Sequence, residues 1–302
     1  MLTTVPIGTS TTVEVPATSA NLGPGFDCFG LALDWREQVQ LTAIERGFRI
    51  EVSGEGADHL PRDESHLVVR SVLIGLADLG VSITGLELRS HNTIPHGRGL
   101  GSSSAAIVAG LVGAAALAGV EPEPKWLLRH ANAIEGHPDN VAAAIHGGFV
   151  LAYEGREGVD VVRSAVDPTI ELAIFIPYTS VETKAARGLL PEMVPHVDAA
   201  ANSGRAALLV HAMARDPDRL YEGTHDWLHQ GYRESAMPKS YELMTCLRRQ
   251  GLAAVISGAG STVLVLGRAA EIGALTEDLA PGFELRRGGV GEGAMAVEIK
   301  RP

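Results

Sequence analysis

A dense run of glycine and serine at residues 97 to 105, GRGLGSSSA, precedes an apolar stretch of about four helical turns. The first turn of a helix presents unpaired backbone N–H groups and the positive end of the helix dipole. Glycines let the backbone close around an anion without Cβ clashes, and Ser102, Ser103 and Ser104 could cap the helix or contact a phosphate or its metal ion. The pattern favours a phosphate-binding loop; an ordinary strand-to-helix turn with a serine cap is the alternative.

Two common phosphate-binding patterns do not match this loop. The loop contains no lysine, so it is not a GxxxxGK[ST] sequence. The third glycine of the dinucleotide-binding fingerprint and the acid that should follow the next strand are also absent from the expected places. If ATP binds here, it therefore binds to a loop of a different kind.

Two other segments concentrate glycine beside polar residues. The first, VPATSANLGPGFDCFGLALDW at residues 15 to 35, reads as a strand that runs into Asn21, Gly23, Gly25 and Asp27. The second, ISGAGSTVLVL at residues 256 to 266, lies between two predicted strands. Taken alone, the first could be a polar loop and the second a glycine-rich hairpin.

Composition excludes several classes of function. The net charge of −11 and the pI near 5.5 give no general attraction to nucleic acid or to an anionic membrane surface. Cys28 and Cys246 form no CxxC pair, so neither a zinc site nor a disulfide framework is indicated. The apolar stretch at residues 105 to 120 is shorter than the ~18 to 20 residues that span a bilayer. Its small side chains instead predict a helix buried on all sides. The N-terminus lacks the features of a secretory signal, so we expect a cytoplasmic protein.

The hydrophobic patterns predict an α+β protein of two lobes. Strand-like runs and three predicted helices, at 65–80, 105–120 and 124–136, precede residue 160, which predicts an N-terminal lobe, residues 1–160, with a mixed β-sheet and buried helices. The C-terminal lobe, residues 161–302, should be a ferredoxin-like α/β sandwich. Its predicted elements are a strand at 169–178, helices at 197–214, 240–251 and 270–280, and strands at 253–260, 261–267 and 294–300.

The three glycine-rich segments, in this order and spacing, resemble the three motifs of the GHMP kinases, named for galacto-, homoserine, mevalonate and phosphomevalonate kinases. The resemblance covers nearly the whole chain, and PATSANLGPGFDCFGLAL is similar to the homoserine kinases within that family. Further matching stretches are EGHPDNVAAAIHGGF, TKAARGLLP and LHQGYRESAMP. The resemblance implies transfer of the γ-phosphoryl group of ATP to the side-chain hydroxyl of homoserine. Another small-alcohol kinase of the family and a non-catalytic nucleotide-binding relative are the alternatives.

The resemblance also implies where each ligand binds. Ser103 and Glu135 would hold Mg²⁺, and a homodimer is expected. The residues expected to bind ATP are Pro95, His96, Gly97, Arg98, Gly99, Leu100, Gly101, Ser102, Ser103, Ser104 and Ala105. Those expected to bind the acceptor are Asn21, Asp27, His137, Asp139, Thr183, Arg187, Arg233 and Gly260.

The chemistry of the acceptor fits these residue types. Homoserine is a zwitterion, so Asp27 would bind its ammonium group while Arg187 and Arg233 would bind its carboxylate. The catalytic residues implied are Asp139 and Asn140. Either Asp139 acts as a base without a neighbouring lysine, or no strong base is needed and Asn140 orients the hydroxyl, because a loose transition state asks little of a base.

Two details of the sequence separate it from its relatives. No lysine precedes Lys125, which argues against the mevalonate kinase pattern of an aspartate beside a lysine. Ser261 also stands where the third motif of the family usually has proline.

Overall fold

The computed structural model describes residues 3–180 and 183–302, without the side chains of residues 183 and 184. In this part of the chain, no helix is both long enough and apolar enough to cross a membrane. The strands are β1 (Thr3–Thr4), β2 (Ser10–Ala20), β3 (Phe29–Ala43), β4 (Gly47–Gly54), β5 (Val81–Ser82), β6 (Gly85–Asn92), β7 (Phe149–Gly155), β8 (Gly158–Ser164), β9 (Ile170–Pro177), β10 (Ala253–Ile256), β11 (Val263–Arg268), β12 (Phe283–Gly288) and β13 (Met295–Lys300). The helices are α1 (Leu67–Asp78), α2 (Ser102–Ala118), α3 (Pro124–Glu135), α4 (Pro138–His146), α5 (Thr183–Arg187), α6 (His196–Arg215), α7 (Leu220–Gly223), α8 (Pro238–Arg249) and α9 (Ala269–Gly273).

The first lobe is built on a seven-stranded sheet. Five strands lie in the order β13-β2-β3-β6-β4, and β7 pairs with both β3 and β8. Strand β4 runs parallel to β6, while the other neighbours are antiparallel. The predicted mixed sheet is therefore confirmed. Strand β3 pairs with β7 near its start and with β6 near its end, which carries the sheet around the helices.

Helix α2 is the centre of this lobe and is buried along nearly its whole length. A Cβ added at Gly110 would lie 2.6 Å from the Cβ of Ser71 in α1. At Gly113 it would lie 2.2 Å from the Cδ1 of Leu41 in β3. Glycine at these two positions lets α2 pack closer to both neighbours than any side chain would permit. The prediction of a helix buried on all sides is confirmed.

The second lobe has a four-stranded antiparallel sheet in the order β10-β11-β9-β12. Helices follow β9 and β11, so the chain order is that of a ferredoxin-like sandwich, as predicted. Along β9, Leu172, Ile174 and Ile176 face the main core, and Ala173 and Phe175 face a second core beneath α8 and α9. Both faces of this sheet are therefore covered.

The prediction for the end of the chain was wrong in one respect. Residues 294–300 do form a strand, but β13 pairs with β2 of the first sheet instead of completing the second. The fourth strand of the second sheet is β12, which precedes it. The helix predicted at 270–280 ends at Gly273 and is followed by a 3₁₀ turn at Glu277–Leu279. The boundary between residues 160 and 161 stays a prediction, and it falls inside β8.

Candidate active site

The three glycine-rich segments meet at the N-terminus of α2. The backbone N–H of Thr18, in the first segment, donates to the carbonyl oxygen of Leu100 at 3.0 Å. Ser257, in the third segment, places its Oγ 2.6 Å from the carbonyl oxygen of Gly99 and 2.7 Å from the Oγ of Ser19. Segments separated by more than 150 residues are thus bonded to one another directly. Hydrogen bonds from the first and the third segment thus fix the predicted phosphate-binding loop.

Glycine is required in the loop by its backbone conformation. Gly97, Gly99 and Gly101 have φ angles of 65°, 73° and 70°, in the left-handed region that L-residues rarely adopt. A Cβ at Gly101 would lie 1.9 Å from the Oγ1 of Thr18. The loop therefore has no side chains at these three positions beside the first turn of α2. This lets an anion come close to the backbone at the helix N-terminus.

The other loop residues divide between anchoring and exposure. Pro95, Leu100 and Ala105 are buried and attach the loop to the core. The Arg98 guanidinium donates to the carbonyl oxygens of Pro177 and Tyr178, at 2.8 and 2.9 Å, and so ties the loop to the end of β9. Arg98 thus fixes the loop, and its positive charge lies within the predicted phosphate-binding loop.

A cavity of about 210 Å³ opens beside Ser102 and Ser103. Its walls include Leu60, His66 and His96. Burial is the main cause that lowers the pKa of both histidines, which favours their neutral form, and polar as well as apolar side chains line this space. Its position suits the base of a nucleotide whose phosphates lie on the loop.

Glu135, the last residue of α3, faces the first turn of α2. Its Oε2 accepts a hydrogen bond from Ser103 Oγ at 2.8 Å, and its Oε1 accepts one from Ser104 Oγ at 3.0 Å. Among the described residues, no cluster of three or more His, Cys, Asp or Glu side chains could hold a metal ion. A cation here would take one carboxylate and one hydroxyl from the protein and its other oxygens from phosphate and water. Mg²⁺ binds in this manner, so the residues fit it.

Asp27 and Arg187 form a bidentate ion pair. Both guanidinium nitrogens, Nη1 and Nη2, lie 2.8 Å from a carboxylate oxygen, and this hydrogen bonding raises the pKa of Arg187. The φ angle of Asp27 is 54°, and its backbone N–H donates to the Oδ1 of Asn21 at 3.0 Å. The structure therefore joins to each other two residues that the sequence assigned to opposite ends of the acceptor.

Arg233 is a buried cation, with only 2% of its surface exposed. It donates to the carbonyl oxygens of Ala186 and Gly258 at 3.3 and 3.2 Å, and within residues 3–180 and 183–302 it has no carboxylate within 4.0 Å. Burial, followed by repulsion from Arg187, lowers its pKa. The two guanidiniums lie 5.4 and 5.5 Å from the centre of the Phe26 ring. Two positive charges and one carboxylate thus surround this ring, which favours an additional anion.

The predicted catalytic residues lie at the start of α4. His137 Nδ1 is 3.0 Å from Asp139 Oδ1, and this contact raises the pKa of His137. The same oxygen accepts the backbone N–H of Asn140 at 2.7 Å. Thr18 Oγ1 donates to Asn140 Oδ1 at 2.8 Å, so the amide of Asn140 is oriented by a residue of the first segment. Asp139 Oδ1 also accepts from Asn140 Nδ2 at 3.3 Å, so this carboxylate and Thr18 together fix the amide of Asn140, which suits the positioning role predicted for Asn140.

Two of the predicted acceptor residues need separate mention. Thr183 begins α5, but its side chain lies outside the described residues. Gly260 lies in the third segment with φ at 95°, where a Cβ would meet Met237. The adjoining Ser261 is buried, and its Oγ donates to the carbonyl oxygen of Thr179 at 3.0 Å. The serine that replaces the usual proline thus gains a hydrogen bond to the segment after β9.

Two residues of the site were not singled out from the sequence. Thr18 orients Asn140, and His229 contacts Arg233. Each lies inside a stretch that carried the family resemblance. The sequence did not indicate which side chains these residues would contact, because such contacts depend on how distant parts of the chain fold together.

Comparison with known proteins agrees with this geometry. The family models described as "GHMP kinases N terminal domain" and "GHMP kinases C terminal" match residues 66–148 and 200–280. The homoserine kinase of Streptomyces coelicolor is 52% identical over 260 residues, covering 85% of this chain and 84% of that protein. The homoserine kinase of Cutibacterium acnes is 47% identical and covers 94% of this chain and 98% of that protein.

A solved structure gives the same answer. The crystal structure of homoserine kinase from Cytophaga hutchinsonii superposes with a TM-score of 0.85 at 30% identity, covering 95% of this chain and 97% of that one. The lobes and the glycine loop are those of a GHMP kinase. The chain belongs to the GHMP kinase family, in its homoserine kinase branch.

Proposed function

We propose that the protein transfers the γ-phosphoryl group of ATP to the side-chain hydroxyl of L-homoserine and forms O-phospho-L-homoserine. The observation that carries this proposal is that the third segment bonds to both parts of the site: Ser257 Oγ donates to Gly99 of the glycine loop, and the carbonyl oxygen of Gly258 accepts from Arg233. An uncharged sugar would leave Asp27 and both arginines without a partner, and a mevalonate-like acceptor, which has a carboxylate but no ammonium group, would leave Asp27 without one. Another small-alcohol kinase activity is therefore the weaker alternative.

The phosphates of ATP are bound by backbone N–H groups at the start of α2 and by the helix dipole. The base of the nucleotide occupies the cavity lined by Leu60, His66 and His96. Ser103 and Glu135 would hold Mg²⁺, which would supply neutralisation of the phosphate charge. Ser104 keeps the Glu135 carboxylate turned toward the loop.

The acceptor binds by entering the ion pair of Asp27 and Arg187. Its ammonium group takes the place of one guanidinium at Asp27, while its carboxylate bridges Arg187 and Arg233. Asp27 and Arg187 then each have a charged partner again, and the buried Arg233 also gains a charged partner. Because no charge is left unpaired, the exchange avoids the penalty of burying an isolated ion.

Transfer then depends on positioning. Asn140, held by Thr18, orients the acceptor hydroxyl in line with the γ-phosphorus, and the His137–Asp139 pair fixes the first turn of α4. A loose transition state places little demand on a base, so the residues act by holding the reactants together. Cytoplasmic localisation and assembly as a homodimer stay predictions.

The test is ADP release, measured with ATP and Mg²⁺ and with L-homoserine, L-serine, L-threonine, mevalonate or galactose as acceptor. We expect kcat/KM for homoserine to exceed that for galactose by ~10³, because two charge-assisted contacts are worth ~3 to 6 kcal/mol together. Mevalonate lacks only the ammonium group, so the preference over mevalonate should be about tenfold to 100-fold. Arg233→Lys should lose most of the preference over galactose. The exposed Arg49, paired with Glu87, provides an Arg49→Lys control. ADP release without preference for homoserine would refute the assignment of the acceptor.

A further inference from the structure

His229 is the most deeply buried histidine of the site, with none of its side chain exposed. It lies four residues before Arg233, and its two ring nitrogens point in different directions. Nε2 is 2.8 Å from the carbonyl oxygen of Gly23, and Nδ1 is 3.2 Å from Nη1 of Arg233. One imidazole therefore links the buried arginine to the loop of the first glycine-rich segment.

The two partners determine the state of the ring. A carbonyl oxygen can only accept a hydrogen bond and a guanidinium can only donate one. His229 must therefore be neutral, with its proton on Nε2, donating to Gly23 and accepting from Arg233. Burial lowers its pKa and so favours the same neutral form. The nearby Asp226 is engaged as a cap, because its carboxylate accepts the backbone N–H groups that follow it, including that of His229.

The loop that His229 contacts is itself tightly packed. A Cβ at Gly23 would lie 2.3 Å from the carbonyl oxygen of Thr224, and Asn202 Nδ2 donates to the carbonyl oxygen of Pro24 at 2.8 Å. The ring of Phe26, which lies near both guanidiniums, is 5.4 Å from the His229 ring. The first segment thus offers a rigid reference point for the side chain of Arg233.

We propose that His229 is a positioning residue that fixes the guanidinium of Arg233 for the carboxylate of the amino-acid acceptor. It accepts from Nη1, and the carbonyl oxygens of Gly258 and Ala186 take donors from Nη1 and Nε. With these three contacts in place, Nη2 has no hydrogen-bond partner among the described residues and is available to a carboxylate. The inference rests on the proposed function, because it assigns the Arg233 guanidinium to the acceptor.

Two substitutions separate the two hydrogen bonds of the ring. In His229→Gln the longer amide reaches the position of Nε2 and can donate to Gly23, but residue 229 no longer accepts a hydrogen bond from Arg233. In His229→Asn the shorter amide reaches the position of Nδ1 and can accept from Arg233, but it cannot reach Gly23. An exposed histidine of α6, His211, provides the matched control His211→Gln.

We expect His229→Gln to raise KM for L-homoserine by about tenfold to 100-fold, the effect of losing a hydrogen bond to a charged group. KM for ATP and kcat should stay within about twofold of the wild-type values, whereas general damage to the fold would change them as well. His211→Gln should keep a KM for homoserine near that of the wild type, and His229→Asn, which still accepts from Arg233 but loses the bond to Gly23, should raise it less than His229→Gln does. If the glutamine variant melts early, the asparagine variant still decides, because a KM for homoserine raised tenfold or more there would overturn the proposal.

A double variant tests whether His229 acts through Arg233. In an Arg233→Lys background, His229→Gln should add little to KM for homoserine, since the guanidinium that it positions is gone. Fully additive effects would overturn the proposal, as would an unchanged KM in the single glutamine variant. Wild-type turnover of homoserine is measured first in the same assay. Its absence would refute the proposed function and this inference together, while its presence leaves the His229 variants to test the inference alone.

Discussion

Replacement of Gly101 by alanine should lower activity, because the backbone conformation and the close neighbours of Gly101 leave no room for a side chain. Gly101 has φ at 70° and precedes the first turn of α2. A Cβ would lie 1.9 Å from Thr18 Oγ1 and 3.2 Å from Asn140 Oδ1. The substitution therefore strains the backbone and also displaces the hydroxyl that orients Asn140. Gly47 has the same φ of 70° and nothing within 4 Å of a Cβ, so Gly47→Ala carries the strain alone.

The magnitudes follow from these two contributions. Left-handed backbone costs an alanine about 1 to 2 kcal/mol, so Gly47→Ala should lower the melting temperature by a few degrees and leave kinetics unchanged. Gly101→Ala adds overpacking of about 1 to 3 kcal/mol. A shift of about 1 Å between the loop and the acceptor can reduce the rate ~100-fold. We therefore expect kcat/KM for ATP to fall by about that factor.

The assay is ADP release at varied ATP concentration, with circular dichroism to follow unfolding of both variants. The pair of variants is informative because both residues have the same φ angle, whereas only a Cβ at position 101 would contact Thr18 and Asn140. Gly101→Ala with wild-type kcat/KM would refute the close approach of the loop to Thr18. Equal losses of activity in both variants would show that general destabilisation, and not the site, is responsible.

Three other predictions concern the same cleft. Glu135→Gln keeps the hydrogen-bonding shape but removes the charge, so the Mg²⁺ concentration for half-maximal rate should rise at least ~10-fold in a metal titration; an unchanged requirement would exclude Glu135 as a ligand. Thr18→Val leaves Asn140 Oδ1 without its donor and should lower kcat ~10-fold, with recovery in Thr18→Ser; equal loss in both variants would contradict the role of the hydroxyl. The pKa of His137 is raised above 6.5 by Asp139, so this contact stabilises the fold below about pH 6.5 and is lost as the pH rises through the raised pKa. Urea unfolding of the wild type and His137→Gln should differ most at about pH 6 and converge by about pH 9; a difference independent of pH would contradict the pairing.

Local patterns were sufficient for the elements and insufficient for their partners. The small residues of α2 predicted a buried helix, and the structure shows why, since Gly110 and Gly113 admit α1 and β3. The alternation in residues 294–300 predicted a strand equally well but could not identify the sheet. Its partner β2 lies nearly 290 residues earlier in the chain, at Ser10 to Glu14. Hydrophobic periodicity is a property of one segment, whereas pairing depends on the whole fold.

The site shows the same distinction at the level of charges. Residue type and family resemblance indicated that Asp27 and Arg187 carry the charges that a zwitterion requires. They could not indicate that the two side chains neutralise each other at 2.8 Å. Arg233, buried and held by carbonyl oxygens and His229, presents its charge in a fixed place. An acceptor that carries both charges can replace the ion pair without leaving an ion unpaired, whereas an acceptor with only one charge cannot. Discrimination therefore depends on this exchange as much as on the contacts that the bound acceptor makes.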